Sequence, residues 1–265
     1  MSNPHLPAEI LDHVVDHLHD TQDALRNCCL VSGSWIPRTR KHLFANVNFP
    51  TAKRLQSWKE TFPEPSTSPA HYTSTLIIKC SHVVTAADTE ADGWIRGFSR
   101  VVHLEVGTRR INLDLDLFVP FHGFSPAIKS LRVTVPVLPS LQIFNLISSF
   151  PRLENLGVII SCDDWTDNDG GSEEDEMLTA IQLSSPSMFT GLLELRLGGG
   201  TKSLTRGLSS LPGGIHFRAF AWTWSNGKDL PLMMMLAERC SHTLESLDIT
   251  CDLIGASIWH LRPHR

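Results

Sequence analysis

"VVHLEV", residues 101–106, sets an apolar residue at Val101, another three positions on at Leu104, and a third two further on at Val106. Leu104 and Val106 alternate with Glu105, the period of a strand buried on one face. The same spacing returns in "IKSLRV" (Ile128, Leu131, Val133), "LENLGV" (Leu153, Leu156, Val158), "LLELRL" (Leu192, Leu195, Leu197), "FRAFAW" (Phe217, Phe220, Trp222) and "LESLDI" (Leu244, Leu247, Ile249). A weaker unit, "TSTLII", places Thr73, Leu76 and Ile78 in register ahead of them. The central positions 76, 104, 131, 156, 195, 220 and 247 are separated by 28, 27, 25, 39, 25 and 27 residues. One long step among six is what an insertion into a regular array produces.

A strand with a short return segment cannot bury its apolar side alone, so units of roughly 20–29 residues stack on one another. The array resembles irregular leucine-rich repeats, of the kind that lack asparagine at the position following the strand. That resemblance predicts an α/β solenoid of parallel strands and helices over residues 71–265. Its long step contains an acidic insertion at 162–176, and removing about 13 residues there restores the repeat length. Between strands, "SLQIFNLISSF" (140–150) and "LPLMMMLAERC" (230–240) carry apolar residues at helical period, with the Met233–Met235 run read as core filler. Only 13 residues follow Asp252, which predicts an incomplete C-terminal cap.

If the apolar residues of each strand point inward, their neighbours line the opposite, concave face. The residues expected there are Lys79, His103, Glu105, Arg132, Thr134, Glu194, Arg196, Thr223, Asp248 and Thr250. Such a mixed-charge surface suits protein recognition better than nucleic acid.

Charge supports that exclusion. The net charge is −5, but "CDDWTDNDGGSEEDE" (162–176) alone holds eight carboxylates and no base, so the remainder carries −5 + 8 = +3. No basic field of the kind that binds nucleic acid is present. The first Lys or Arg is Arg26, and Glu9, Asp12 and Asp16 interrupt the N-terminal apolar residues, which argues against a secretory signal. The uncharged stretch Val133 to Phe150 contains Pro136, Pro139, Gln142 and Asn145 and predicts no membrane span. Six cysteines form no C-x-x-C pair, and no Asn-x-Ser/Thr sequon occurs. Reduced thiols in the cytosol or nucleus are the expectation.

Ahead of the repeats, "LPAEILDHVVDHLHDTQDALRNCCLVSGSW" (6–35) reads as short helices. Pro7 stands in the first turn, and Ile10, Leu11, Val14, Val15 and Leu18 form an apolar stripe opposite Glu9, Asp12, His13, Asp16 and His17. Asp20 or Thr21 can cap a second helix that carries Ala24, Leu25 and Cys28 inward, and Ser34 a third running to Phe44. A unit this small lies below the roughly 70–80 residues at which a core holds itself together, so it needs a neighbour. Leu6-Pro7-x-Glu9-Ile10-Leu11, Val14/Val15, Leu18, Leu25, "CLVS" (29–32) and Trp35 resemble an F-box in order and spacing, and "RKHLFANVNF" (40–49) resembles the start of a large fungal F-box family.

The resemblance implies a three-helix F-box over residues 1–49, a linker at 50–70, and docking onto a Skp-family adaptor and, through it, a cullin of a ubiquitin ligase. It marks Leu6, Pro7, Ile10, Leu11, Val14, Leu18, Leu25, Leu30, Val31 and Trp35 as adaptor or intra-box contacts. The expected function is that of a substrate-recognition adaptor without catalysis or cofactor, binding an unknown target protein. A non-degradative scaffold that assembles no cullin is the alternative.

Other chemistry fits less well. Asp167, Asp169, Gly170 and Glu176 match positions of a calcium-binding loop, but Trp165 occupies its first ligand position. His13 and His17 are spaced for one face of a zinc site, without a third ligand nearby. "GFSPA" (123–127) lacks the second glycine of a nucleophile elbow around Ser125, and "GGGTKS" (198–203) has the wrong spacing for a phosphate loop.

Overall fold

The computed structural model describes residues 7–81, 84, 85, 88, 93–108, 118–122, 124, 127–136, 140–160, 189–197, 201–209, 214–224, 230–251 and 259–261. Among them the chain is mixed α/β, with seven α-helices and nine strands. Helices α1 (Ala8–His17), α2 (Gln22–Val31) and α3 (Ile36–Leu43) come first. They lead into β1 (Asn46–Phe49), α4 (Ala52–Thr61), β2 (Thr75–Ile78), β3 (His103–Gly107) and β4 (Ser130–Val135). Then follow α5 (Ser140–Ser148), β5 (Asn155–Ile160), β6 (Leu192–Leu197) and α6 (Thr201–Ser209). The remainder is β7 (Ala219–Trp224), α7 (Leu230–Arg239), β8 (Ser246–Cys251) and β9 (Trp259–Leu261).

All nine strands form one sheet in sequence order. β1 to β8 run parallel, and β9 turns back antiparallel to β8, pairing Trp259 with Ile249 and Leu261 with Leu247. Parallel neighbours require a crossover for every strand, and the recurring step between apolar triplets is the length of one strand plus its crossover. The triplets seal one face. Leu76, Ile78, Leu104, Val106, Leu131, Val133, Leu156, Val158, Leu193, Leu195, Phe220 and Trp222 are all buried and belong to one core. Ile143, Phe144, Leu146 and Ile147 of α5, Leu204 and Leu208 of α6, and Met233 and Leu236 of α7 join them. Met234, within the methionine run expected to fill the core, is instead exposed.

One unit sits differently from the expected register. Leu193, not Leu195, pairs with Leu156 and Phe220, so the steps around it are 37 and 27 residues. The stretch offers leucine at both parities, and Leu192 has turned to the open face, where it is 37% exposed. Because side chains alternate with period two, a slip of two leaves Glu194 and Arg196 on the face foreseen for them.

The N-terminal boundary also differs. Residues 46–49, expected within the helical unit, form the first strand, with Val47 and Phe49 buried. The stretch 50–70, expected as a linker, contains α4, whose N-cap Thr51 accepts a hydrogen bond from the Arg54 amide. Leu55 of α4 is buried, and Trp58 packs edge-on to Phe49 at 5.5 Å and against Phe62 at 4.8 Å. Phe49 also meets Trp94 at 5.8 Å, so an aromatic cluster closes the first end of the sheet. Capping, together with Leu55, Trp58 and Phe62 at helical spacing, accounts for a helix where a linker was expected.

Candidate functional site

Two surfaces gather the residues singled out by sequence. The first is the helical segment. Pro7 is the exposed N-cap of α1, and its carbonyl accepts from the amides of Ile10 and Leu11. The apolar stripe of α1 is split along its length. Val15 is fully buried and Leu11 and Leu18 half-buried, whereas Ile10 and Val14 are 50% and 45% exposed. In α2, Leu25 and Cys28 face inward, while Leu30 and Val31 at its end are 85% and 68% exposed. Trp35 is half-buried, and its carbonyl accepts a hydrogen bond from Thr39 Oγ1 at 2.7 Å. Leu6 lies outside the described residues. Ten residues read from sequence as one contact set therefore separate physically, with Leu25 internal and Ile10, Val14, Leu30 and Val31 turned to solvent.

The capping differs from expectation. Thr21 precedes α2 without a side-chain cap, and Ser32, not Ser34, accepts from the Ser34 amide to start a turn at Gly33–Trp35, so α3 begins at Ile36.

The expected outer polar face of α1 is also corrected. Asp16 is half-buried there, because Arg38 and His42 of α3 reach it. Arg38 Nε donates to Asp16 Oδ1 at 2.6 Å and Nη2 donates to Oδ2, while His42 Nε2 lies 2.7 Å from Oδ1. Four residues apart, Arg38 and His42 share one side of α3 and converge on one carboxylate. Their hydrogen bonds, that of Arg38 first, hold the Asp16 carboxyl well below the usual carboxylate range. His13 and His17 stand with ring centroids 5.2 Å apart. No group of three or more His, Cys, Asp or Glu positioned for a metal occurs among the described residues.

The second surface is the open face of the sheet. Strand pairing aligns Ile77, Glu105, Arg132, Gly157, Glu194, Ala221 and Asp248 in one row. Thr134, Ile159, Arg196, Thr223 and Thr250 form the next, towards the strand ends. His103 opens β3 on the same face, and Lys79 follows β2. Each expected recognition residue therefore lies opposite the core. Their charges are largely engaged with one another: Arg132 Nη2 donates to Glu194 Oε1 at 2.7 Å, and Lys79 Nζ lies 3.8 Å from Glu105 Oε1. This self-pairing leaves a face of balanced charge in which Leu192, Ala219 and Ala221 form a low apolar stretch across β6 and β7.

Sequence reasoning missed the Asp16, Arg38 and His42 cluster and the contact of Arg132 with Glu194 across Gly157 of the strand between them. The first had a usable signal, a basic pair four apart on a helix facing an acid in a neighbouring helix; the second depends on register. The acidic stretch 162–176 and Gly123, Ser125 and Pro126 lie outside the described residues. Cys80 and Cys240 are buried, which pushes both thiols up and leaves them protonated and unreactive. Among the described residues, no helix is long and apolar enough to cross a membrane. No protein-family model matches the chain, and no curated protein matches it.

Proposed function

We propose that the chain is an F-box receptor that docks on a Skp-family adaptor through α1 and α2 and offers the open face of a leucine-rich-repeat solenoid to a target protein. The observation that carries this reading is the exposure of Ile10, Val14, Leu30 and Val31 in a chain whose other large apolar residues, among those described, are mostly buried. Short helices gain most of their stability from packing an apolar face, and an apolar face left in water marks a surface that another protein covers. The resemblance of residues 6–35 to an F-box supports a Skp-family adaptor as that partner.

In this role the chain performs no bond chemistry. It holds a target near a ubiquitin donor carried by the ligase, raising the effective concentration of target lysines there. The self-paired charges of the sheet face favour a target recognised through shape and polar contacts over one recognised by strong charge alone.

The experiment is co-purification of the full chain with a Skp-family adaptor, comparing wild type with the double variant Ile10→Asp, Val14→Asp. Both positions are exposed, so the variant is expected to keep its circular dichroism spectrum and melting temperature while losing the adaptor. A folded double variant that retains undiminished binding refutes the docking surface. A cullin in the same pull-down separates ligase assembly from the scaffold alternative.

A further inference from the structure

α1 is weakly held for a helix that must present a binding face. It has ten residues, fewer than the roughly 12–15 at which an isolated helix becomes even marginally stable in water. Its N-cap, Pro7, supplies no side-chain cap. Of the α1 side chains described, Val15 alone is fully buried. Among the described residues, the grip of Arg38 and His42 on Asp16 ties α1 to α3 across sequence separations of 22 and 26 residues.

This grip is of the kind that matters. Exposed ion pairs contribute little unless the geometry is favourable, as where an arginine engages a carboxylate with two bonds, and Arg38 does so here. The three side chains are only 32%, 33% and 21% exposed for Arg38, Asp16 and His42 respectively. Asp16 lies two residues from Val14 and one from Val15, so fixing its carboxylate fixes the rotation of the turn that decides which apolar residue goes inward and which outward.

We propose that Asp16 is a positioning residue for docking: its clasp on Arg38 and His42 sets the rotation of α1 that buries Val15 and presents Ile10 and Val14. The clasp stands on the geometry alone, while its consequence for binding rests on the docking reading above. Contact residues work only when supporting groups hold them in place, and the clasp on Asp16 supplies that support from within the chain.

The test uses the full chain as wild type, Asp16→Asn, and the charge reversal Asp16→Arg with Arg38→Asp. Hydrogen exchange is read at the α1 amides, with those of β3 to β5 as an internal control, and affinity is measured for a purified Skp-family adaptor. Asp16→Asn is expected to speed α1 exchange about tenfold and to weaken binding severalfold with control amides unchanged, and the reversal to restore both. Wild-type exchange and affinity in Asp16→Asn overturn the proposal, and so does faster α1 exchange with undiminished affinity. If the wild type itself does not bind the adaptor, the docking reading falls, and α1 exchange alone decides whether the clasp exists.

Discussion

Arg132 and Glu194 are joined at 2.7 Å although the whole of β5 lies between their strands. Neighbouring strands stand about 4.8 Å apart, so the arginine reaches across roughly twice that distance. Gly157 opens the way. It pairs with both residues, and a Cβ built there would lie 3.0 Å from Arg132 Cγ and 3.5 Å from Glu194 Oε2. The glycine leaves a channel across the sheet face along which the guanidinium lies.

Gly157→Val therefore fills the channel with a residue that suits a strand. The expected result is a folded protein in which the ion pair is lost. In the wild type, a double-mutant cycle with Arg132→Ala and Glu194→Ala should give a coupling below about 1 kcal/mol, since both side chains are partly exposed. In the Gly157→Val background the same cycle, measured by urea unfolding, should give none. An unchanged coupling would show that the arginine reaches Glu194 by another route.

Leu25 and Leu30 share helix α2 but not an environment. Leu25 is fully buried, and Leu30 is 85% exposed. Leu25→Ala should destabilise the helical segment by about 2–5 kcal/mol, the ordinary cost of a cavity in a closed core. Leu30→Ala should stay within about 0.5 kcal/mol of wild type. Equal losses in chemical denaturation would mean that Leu30 packs inside the chain and is not available to a partner.

These contrasts mark where the sequence is legible. Leu104 and Leu131 could be placed because only one parity of each strand is apolar, so burial has a single solution. Leu192 and Leu193 offered two, and the triplet template chose the wrong one. Strand β1 escaped because four residues, Asn46–Phe49, show too short an alternation to stand out behind a helix. The face of Arg132 and Glu194 was readable from period two, but their contact was not, since it depends on which residue of β5 falls between them. The exposed residues of α1 were legible as apolar, whereas the split between Val15 and Val14 depends on how α3 packs.

Gly207 reverses a familiar rule. Replacing glycine with alanine inside a helix usually stabilises by about 1 kcal/mol. In α6, however, a Cβ at Gly207 would stand 2.2 Å from Cζ of Phe144, a ring of α5 that is only 1% exposed. Gly207→Ala should instead cost about 1–3 kcal/mol by overpacking. Phe144→Leu opens a cavity by itself, so combining the two should cost less than the sum of the separate losses. Thermal unfolding of the four proteins checks the sign, and strict additivity would show that the helices have moved apart to admit the methyl group.

Acid should loosen α1 in a window set by Asp16. Its hydrogen bonds from Arg38 and His42 hold its carboxyl below the ordinary value of about 3.9 that it regains when unfolded. A carboxyl lowered in the folded state contributes stability that is present above the unfolded value and is lost as pH falls through the folded one, because the unfolded chain then binds the extra proton. The difference in α1 stability between wild type and Asp16→Asn should therefore be constant in its Asp16 contribution from neutral pH down to about pH 5 and shrink below about pH 4. Helix-resolved hydrogen exchange across that range measures it. A difference that persists undiminished far below the range in which carboxylates titrate would show that the asparagine acts through packing, not through the lost charge.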